Sequence, residues 1–166
     1  LSSGISEELL FEIYDELLKK HGFKPIGLAH KPEKNTPIQQ SMTISSPQSP
    51  RDFEILVGRL FEVMGFNARV TPASKDGGVD VIAIREIGAS LEKHAIQCKF
   101  QNSPVGRPIL QQLLGVITSD PSFTKGILVT NADFSRDALD FVKQNGRLQL
   151  ISGRDLETLL QKYKVN

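Results

Sequence analysis

The sequence has 166 residues, of which 39% are hydrophobic and 23% charged, and its formal net charge is +1. No apolar stretch approaches the roughly 18 residues that a bilayer span needs, so the pattern excludes a membrane-spanning segment. The near-neutral charge gives no global field that draws nucleic acid, so a nucleic-acid enzyme of this charge needs a local basic cleft. The single cysteine, Cys98, excludes an internal disulfide. The chain start lacks the pattern of a signal peptide, so we expect a cytoplasmic protein without membrane contact.

The N-terminal part of the chain divides into a helix and a linker. Apolar residues recur at helical spacing in residues 6–21, which predicts an amphipathic helix capped by Ser6. Residues 24–50 are rich in proline, serine, threonine and glutamine, a composition typical of a linker. We therefore expect a helix and linker at 1–49 and a compact domain at 50–166.

From residue 50 onward, segments with helical periodicity alternate with short apolar runs. The order αβββαβαβα predicts an α/β fold with a mixed sheet and helices on both faces. The predicted helices are 50–64, 107–119, 136–145 and 154–163, and the predicted strands are 66–71, 79–85, 93–100, 126–130 and 147–151.

Polar side chains interrupt two of these strands, which are otherwise apolar and typical of a sheet covered on both faces. Asp80 stands in the run 78–84, and Gln97 and Lys99 stand in the next strand. Charged groups are costly there unless they are paired or bind an ion. Because side chains alternate along a strand, Gln97 and Lys99 share one face and Cys98 points the other way, into the core. Consecutive strands are usually neighbours, so we expect Asp80 beside Gln97 and Lys99.

This set of side chains suits metal-assisted hydrolysis of a phosphodiester. A carboxylate such as Asp80 holds Mg²⁺, which prefers oxygen ligands, and the amide oxygen of Gln97 is a second ligand of that kind. Lys99 can orient or activate water and stabilise charge on phosphorus. On the first helix of the domain, Glu54 falls at the edge of the buried face and Glu62 faces solvent, so the geometry favours Glu54 as a further carboxylate of the site.

Motifs along the domain resemble a known family. They are Phe53-Glu54, Met64-Gly65-Phe66, Asp76-Gly77-Gly78-Val79-Asp80-Val81-Ile82-Ala83, Ile96-Gln97-Cys98-Lys99, Pro104-Val105-Gly106, Leu110-Gln111-Gln112-Leu113, Gly126-Ile127-Leu128-Val129-Thr130 and Asn145-Gly146. In order and spacing they are similar to the catalytic domain of Mrr-type restriction endonucleases, which belong to the PD-(D/E)xK nuclease superfamily. The resemblance covers roughly residues 50–157.

The resemblance implies a restriction-endonuclease-like αβββαβ core, DNA cleavage, and dependence on Mg²⁺ with Mn²⁺ as a substitute. It makes Asp80 the superfamily aspartate and Lys99 its lysine, and it puts Gln97 in the place of the usual acidic residue. It also matches Glu54 to the glutamate of the first helix and Gln111 to a glutamine on the helix after the lysine strand. Because the glutamine removes one negative charge, we expect a millimolar rather than a micromolar Mg²⁺ requirement.

Weaker signals come from four other positions. Ser74 and Asp76, in the polar loop before the aspartate, either contact DNA or form a solvated turn, and the sequence leaves this open. Gln111 is either a site residue or part of the helix surface. His94 is expected at the surface of the protein.

The sequence therefore predicts a Mg²⁺-dependent DNA endonuclease. Glu54, Asp80 and Gln97 are expected to place the metal, and Lys99 is expected to be the charged catalytic group. The resemblance favours a role in defence against foreign or modified DNA. The alternatives are a structure-selective repair nuclease for branched DNA and a non-catalytic nucleic-acid-binding module of the same fold.

Assembly is the least determined property. Cutting both DNA strands requires two active sites, so we expect a homodimer or transient pairing on DNA. Residues 1–49 are short for reading a target sequence, so specificity is expected from an additional domain or subunit. The helix at 6–21 packs on the nuclease core, mediates dimerisation or is the remnant of a DNA-reading module.

Overall fold

The structure is a computed structural model and describes residues 46–72 and 78–165. The predicted helix at 6–21 and most of the predicted linker lie outside the described residues, and so do Ser74 and Asp76. Among the described residues, no helix combines the length and the apolar character that crossing a membrane requires.

The described residues form four helices and five strands in the predicted order αβββαβαβα. The bounds agree with the sequence prediction to within two residues, except that β3 begins three residues earlier. The helices are α1 (Pro50–Val63), α2 (Arg107–Ser119), α3 (Arg136–Lys143) and α4 (Gly153–Lys162), and the strands are β1 (Asn67–Val70), β2 (Val81–Ile87), β3 (Ser90–Lys99), β4 (Lys125–Thr130) and β5 (Leu148–Ile151).

The bounds of α1 follow from its capping residues. The Ser49 hydroxyl accepts a hydrogen bond from the Asp52 N–H at 3.1 Å, and Pro50 occupies the first helical position, where no N–H is needed. Gly65 follows the helix with a φ of +90°, a left-handed conformation that glycine adopts without steric cost. These signals place Glu54 near the N-terminal end of α1.

The five strands form one sheet in the order β1-β2-β3-β4-β5. β1, β2 and β3 pair antiparallel, whereas β4 and β5 join in parallel after the crossover helices α2 and α3. The α/β class with a mixed sheet is therefore as predicted. β3 is the central strand and pairs with β2 as far as Ile96 and with β4 as far as Lys99.

Helices cover both faces of this sheet, which confirms the predicted layering. On the first face, α1 and α4 bury a cluster that includes Phe53, Val57, Leu60, Phe61, Val81, Ile96, Val129 and Leu156. On the second face, α2 and α3 bury a cluster that includes Ala95, Leu110, Leu113, Ile117, Leu128 and Ala138. Residues of β3 contribute alternately to the two clusters, as the strand period of two requires.

The β2–β3 hairpin is exposed around its turn at Gly88. Ile87 is 50% exposed and Leu91 is 55% exposed, and the Arg85 guanidinium pairs with the Glu92 carboxylate across the strands at 2.9 Å. These exposed residues lie outside the apolar runs 78–84 and 95–100, for which coverage on both faces was predicted. The earlier start of β3 adds polar residues that pair with β2 in contact with solvent.

His94 is buried, so its predicted surface position is wrong. The residue is 8% exposed, and its ring centroid lies 5.1 Å from that of Phe66. His94 lies inside β3 and shares the face of Ile96, which packs toward α1. Burial lowers the pKa of His94, since a desolvated site disfavours the charged imidazolium.

Candidate active site

Asp80 lies directly before β2, and its backbone makes hydrogen bonds to β3 and to the residue that follows β1. Its N–H donates to the Ile96 carbonyl at 2.8 Å, and its own carbonyl accepts from the Thr71 N–H at 2.9 Å. Its carboxylate accepts a hydrogen bond from the Cys98 N–H at 2.7 Å. Asp80 is thus bonded to both chain neighbours of Gln97, which fixes the carboxylate at the C-terminal end of β3.

Opposing influences act on the Asp80 carboxylate. Partial burial raises its pKa above the usual range, and the hydrogen bond from Cys98 offsets part of this. The Glu54 carboxylate raises the pKa, while Lys99 and Arg51 lower it. Two carboxylates and two cations therefore form one electrostatic cluster. Because the net direction is upward, the ionised Asp80 gains from any further cation that approaches it.

Gln97 is 3% exposed, and its amide oxygen has no hydrogen-bond partner among the described residues. A buried polar atom without a partner costs roughly 1–3 kcal/mol, so such an atom requires an explanation. A Cβ added to Gly78 would lie 2.6 Å from the Gln97 Nε2, so the amide nitrogen packs directly against this glycine. The oxygen of the same amide remains an acceptor that a bound cation can use.

Lys99 is the last residue of β3, and its face of the strand follows from the two clusters. Cys98 packs toward α1 and Ala95 packs in the opposite cluster, so Gln97 and Lys99 share the face of Ala95, as predicted. Burial holds the pKa of the Cys98 thiol well above its usual range. Cys98 is therefore a protonated core residue, in agreement with the sequence prediction.

Arg51 connects α1 to the end of β1, and the sequence reasoning missed it. Its Nη1 donates to the Glu54 carboxylate at 2.9 Å and to the Thr71 carbonyl at 2.8 Å. Because Thr71 is bonded to the backbone of Asp80, Arg51 links the helix glutamate to the aspartate. The Glu54 side chain is 20% exposed and Glu62 is exposed, as their predicted helical positions require. The i,i+3 spacing was the only sequence signal for this pair, and it is common on exposed helix faces.

The oxygen atoms of this site suit a hard divalent cation. Glu54 and Asp80 supply carboxylates, and Gln97 supplies a buried amide oxygen without a partner in the described chain. Mg²⁺ and Mn²⁺ bind such oxygens and usually retain water or substrate oxygens as well. Within residues 46–72 and 78–165, no group of three or more His, Cys, Asp and Glu side chains is placed to hold a metal. The candidate site has only two such side chains, Glu54 and Asp80, together with the Gln97 amide. These three residues therefore fit a metal site in which phosphate oxygens of the substrate are further ligands.

The remaining predicted site residues lie apart from this cluster or outside the described chain. Gln111 is exposed on α2, and the contacts that join the other residues do not extend to it in the described part of the chain. Ser74 and Asp76 belong to the loop 73–77, which is not described. A role in DNA contact stays a prediction for all three.

The chain matches a known protein-family model. The model of the Mrr catalytic domain, described as a restriction endonuclease, matches residues 46–160. The chain belongs to the Mrr restriction endonuclease family. The four residues Glu54, Asp80, Gln97 and Lys99 all lie within the range matched by the Mrr family.

Three known proteins illustrate the similarity of this Mrr-family chain. The type IV methyl-directed restriction enzyme EcoKMrr of Escherichia coli (strain K12) is 29% identical over 123 residues, which are 70% of this chain and 40% of that protein. The structure of the DNA modification-dependent restriction endonuclease AspBHI has a TM-score of 0.58 at 22% identity and covers 98% of this chain and 47% of its own. The structure of the MspJI restriction endonuclease in complex with a 27-mer oligonucleotide has a TM-score of 0.52 at 21% identity, over 77% of this chain and 35% of its own.

These similarities differ in what they establish. The two structural likenesses show the restriction endonuclease fold. The Mrr-family chain spans less than half the length of each of the three proteins. More than half of each of these proteins is not matched by this chain.

Proposed function

We propose that this Mrr-family domain is a DNA endonuclease that depends on Mg²⁺, with Mn²⁺ as a substitute. The observation that carries the proposal is the buried amide oxygen of Gln97, which has no hydrogen-bond partner among the described residues, on the strand whose Cys98 N–H bonds to the Asp80 carboxylate. A buried oxygen of this kind destabilises the folded chain unless a bound cation or a water molecule supplies the missing partner. Membership of the Mrr family supports nuclease chemistry, and the similarity to AspBHI, which is named as a DNA modification-dependent restriction endonuclease, supports DNA as the substrate.

Each residue of the cluster has a proposed role. Glu54, Asp80 and Gln97 would hold the cation, which would supply Lewis-acid stabilisation of charge on the phosphate. Lys99 orients the attacking water and stabilises the negative charge that develops on the phosphate oxygens. The water oxygen forms a bond to phosphorus as the P–O ester bond in line with it breaks, the water loses a proton to solvent, and the departing sugar oxygen takes up a proton from solvent. Arg51 keeps the Glu54 carboxylate near the end of β1 through its two hydrogen bonds.

The biological role that we propose is defence against foreign or modified DNA, in the cytoplasm. The Escherichia coli relative is named as a methyl-directed restriction enzyme, which supports this role. Because the chain spans 40% of that relative, we propose that specificity comes from an additional domain or subunit. Cutting both strands needs two active sites, so we expect the domain to act as a homodimer or as transient pairs on DNA.

Cleavage of three DNA substrates tests the proposed function. Unmethylated plasmid, methylated plasmid and a four-way junction are incubated with the protein and with Asp80→Asn, each with and without Mg²⁺. We expect plasmid cutting that requires Mg²⁺ and is lost in Asp80→Asn. Cutting of the junction alone would favour a repair nuclease. Binding of DNA without any Mg²⁺- or Mn²⁺-dependent cutting would leave a non-catalytic module.

Gln97→Glu is expected to lower the Mg²⁺ concentration for half-maximal cleavage by about tenfold from a millimolar value. The substitution adds one negative charge at the metal site, and tenfold corresponds to about 1.4 kcal/mol of added attraction. Gln161→Glu adds the same charge at an exposed position of α4 and should leave the Mg²⁺ midpoint unchanged. A Mg²⁺ titration of cleavage rate gives both values. A micromolar midpoint in the unsubstituted protein would show that the glutamine does not weaken metal binding.

Gly78→Ala is expected to impair cleavage through the side chain of Gln97. The added Cβ would lie 2.6 Å from the Gln97 Nε2, whereas Gly88→Ala adds a Cβ with nothing within 4 Å. Both glycines have positive φ, so both substitutions should cost about 1–2 kcal/mol of unfolding free energy. Because only Gly78→Ala displaces the amide, we expect its cleavage rate per folded molecule to be at least about tenfold below that of Gly88→Ala. Equal rates would contradict a role for the amide position.

A further inference from the structure

Thr130 and Asn131, at the end of β4, make hydrogen bonds to the backbone of Lys99 and Gln101. Thr130 is fully buried, and its hydroxyl donates to the Lys99 carbonyl at 2.7 Å and accepts from the Ala132 N–H at 3.1 Å. The side-chain oxygen of Asn131 accepts from the Gln101 N–H at 2.8 Å. The β4 end therefore fixes the backbone at Lys99 and again two residues beyond it.

The end of β3 depends on these bonds because the sheet stops there. The β3–β4 ladder ends at the pair Lys99 and Thr130. Regular strand hydrogen bonds therefore hold the residues before Lys99 but not those after it. Strand ends open more readily than strand centres when side chains do not hold them. A lysine ammonium stands on a flexible four-carbon stem, so its mean position depends on a fixed backbone at its base.

Asn131 is in turn supported by the start of α4. The Gly153 N–H donates to the Ala132 carbonyl at 2.9 Å, and a Cβ at Gly153 would collide with the Asn131 carbonyl. The absence of a side chain lets the helix approach this closely. The turn after β4 is thus packed against a helix and is a firm support for the residues bonded to it.

We propose that Thr130 and Asn131 are positioning residues, which hold the end of β3 so that the Lys99 ammonium stands at the phosphate. This role rests on the nuclease function proposed above. The far end of the same strand pair offers a matched comparison. There the Thr124 hydroxyl donates to the Lys93 carbonyl at 2.9 Å and accepts from the Lys93 N–H at 3.0 Å. A threonine hydroxyl joins β3 to the β4 segment at each end, and the catalytic lysine is at one of them.

Kinetics of four variants test this role in Mg²⁺ titrations of cleavage. We expect Thr130→Val to lower kcat at least about tenfold and to leave the Mg²⁺ midpoint within about twofold, because lysine position changes and metal ligands do not. Thr130→Ser restores the hydroxyl and should return kcat to within about threefold of the unsubstituted protein. Asn131→Ala should lower kcat about threefold or more, and Thr124→Val should leave kcat within about twofold.

Three kinetic outcomes would overturn the positioning role. One is a Thr130→Val kcat within about twofold of the unsubstituted value, and another is an equal loss in Thr124→Val. If Thr130→Val does not fold, Asn131→Ala decides, because Asn131 is exposed and its removal leaves the core intact. An unchanged kcat in Asn131→Ala would then be the third such outcome.

Amide hydrogen exchange in the absence of DNA separates this role from the nuclease function itself. We expect the Gln101 amide to exchange at least about tenfold faster in Asn131→Ala, because its acceptor is removed and the strand end opens. If the unsubstituted protein cuts no DNA, the proposed function fails, and faster exchange still supports the holding of the β3 end. Equal exchange in the two proteins would overturn the positioning role whatever the activity.

Discussion

Asp80→Asn is expected to lower the cleavage rate by at least about a thousandfold, which corresponds to about 4 kcal/mol of lost transition-state stabilisation. The substitution removes a charged ligand of the proposed metal site but keeps an oxygen that can accept the hydrogen bond from the Cys98 N–H. The backbone bonds to Ile96 and Thr71 are unaffected. The loss should therefore come from chemistry and not from unfolding. Single-turnover cleavage across a Mg²⁺ titration measures it.

Stability provides the internal control for this substitution. The pKa of Asp80 is raised in the folded protein, mainly by burial, so the ionised carboxylate destabilises the fold at neutral pH. A neutral asparagine should then leave the thermal midpoint of the metal-free protein equal or higher. Asp120→Asn removes an exposed carboxylate beyond α2 and should leave the cleavage rate within about twofold. If the Asp80→Asn protein keeps more than about a hundredth of the cleavage rate, the proposed role of Asp80 in the mechanism is wrong.

Lys99→Met is expected to lower kcat by about a hundredfold to a thousandfold, the range for removing one group that stabilises charge in the transition state. Methionine matches most of the lysine stem and lacks the ammonium, so packing at the end of β3 should persist. The Mg²⁺ midpoint should stay unchanged or fall slightly, because a cation near the metal ligands is removed. This separation of kcat from the metal requirement distinguishes Lys99 from Asp80.

Two further variants define the role of the lysine charge. Lys125→Met removes an ammonium at the start of β4, where it lies 3.4 Å from the Gln149 side chain, and should leave kcat within about twofold. Lys99→Arg keeps the charge on a planar, longer group and should recover only part of the rate. An unchanged kcat in Lys99→Met would exclude the ammonium from the reaction.

Much of the fold is predictable from the sequence because its signals are local. Ser49 and Gly65 mark the ends of α1, and apolar periodicity locates the other helices to within two residues. The β3 start at Ser90 was missed because the polar residues of the hairpin pair with β2 in solvent, where no apolar pattern is needed. His94 was placed at the surface although the predicted strand 93–100 contains it, because its burial against Phe66 is a tertiary contact that no local pattern indicates.

The candidate site is predictable to the extent that strand alternation determines it. The face shared by Gln97 and Lys99, opposite to Cys98, follows from a period of two. Arg51 and Thr130 were not found, because their contacts with Thr71 and Lys99 join elements far apart in the sequence. No local pattern distinguishes such residues from an ordinary surface arginine or a strand threonine.

The order of strands along the chain has a consequence for how the protein acquires its activity. The bond that joins Asp80 to the strand of Gln97 and Lys99 spans 18 residues, whereas the bond between Thr130 and Lys99 spans 31. Contacts of low sequence separation form early in folding, whereas the parallel pairing with β4 waits for the α2 crossover. During refolding, Asp80 and Gln97 should therefore meet before the strand that bonds to the Lys99 backbone arrives. We expect a refolding intermediate of this domain to carry two of the proposed metal ligands before it can cut DNA.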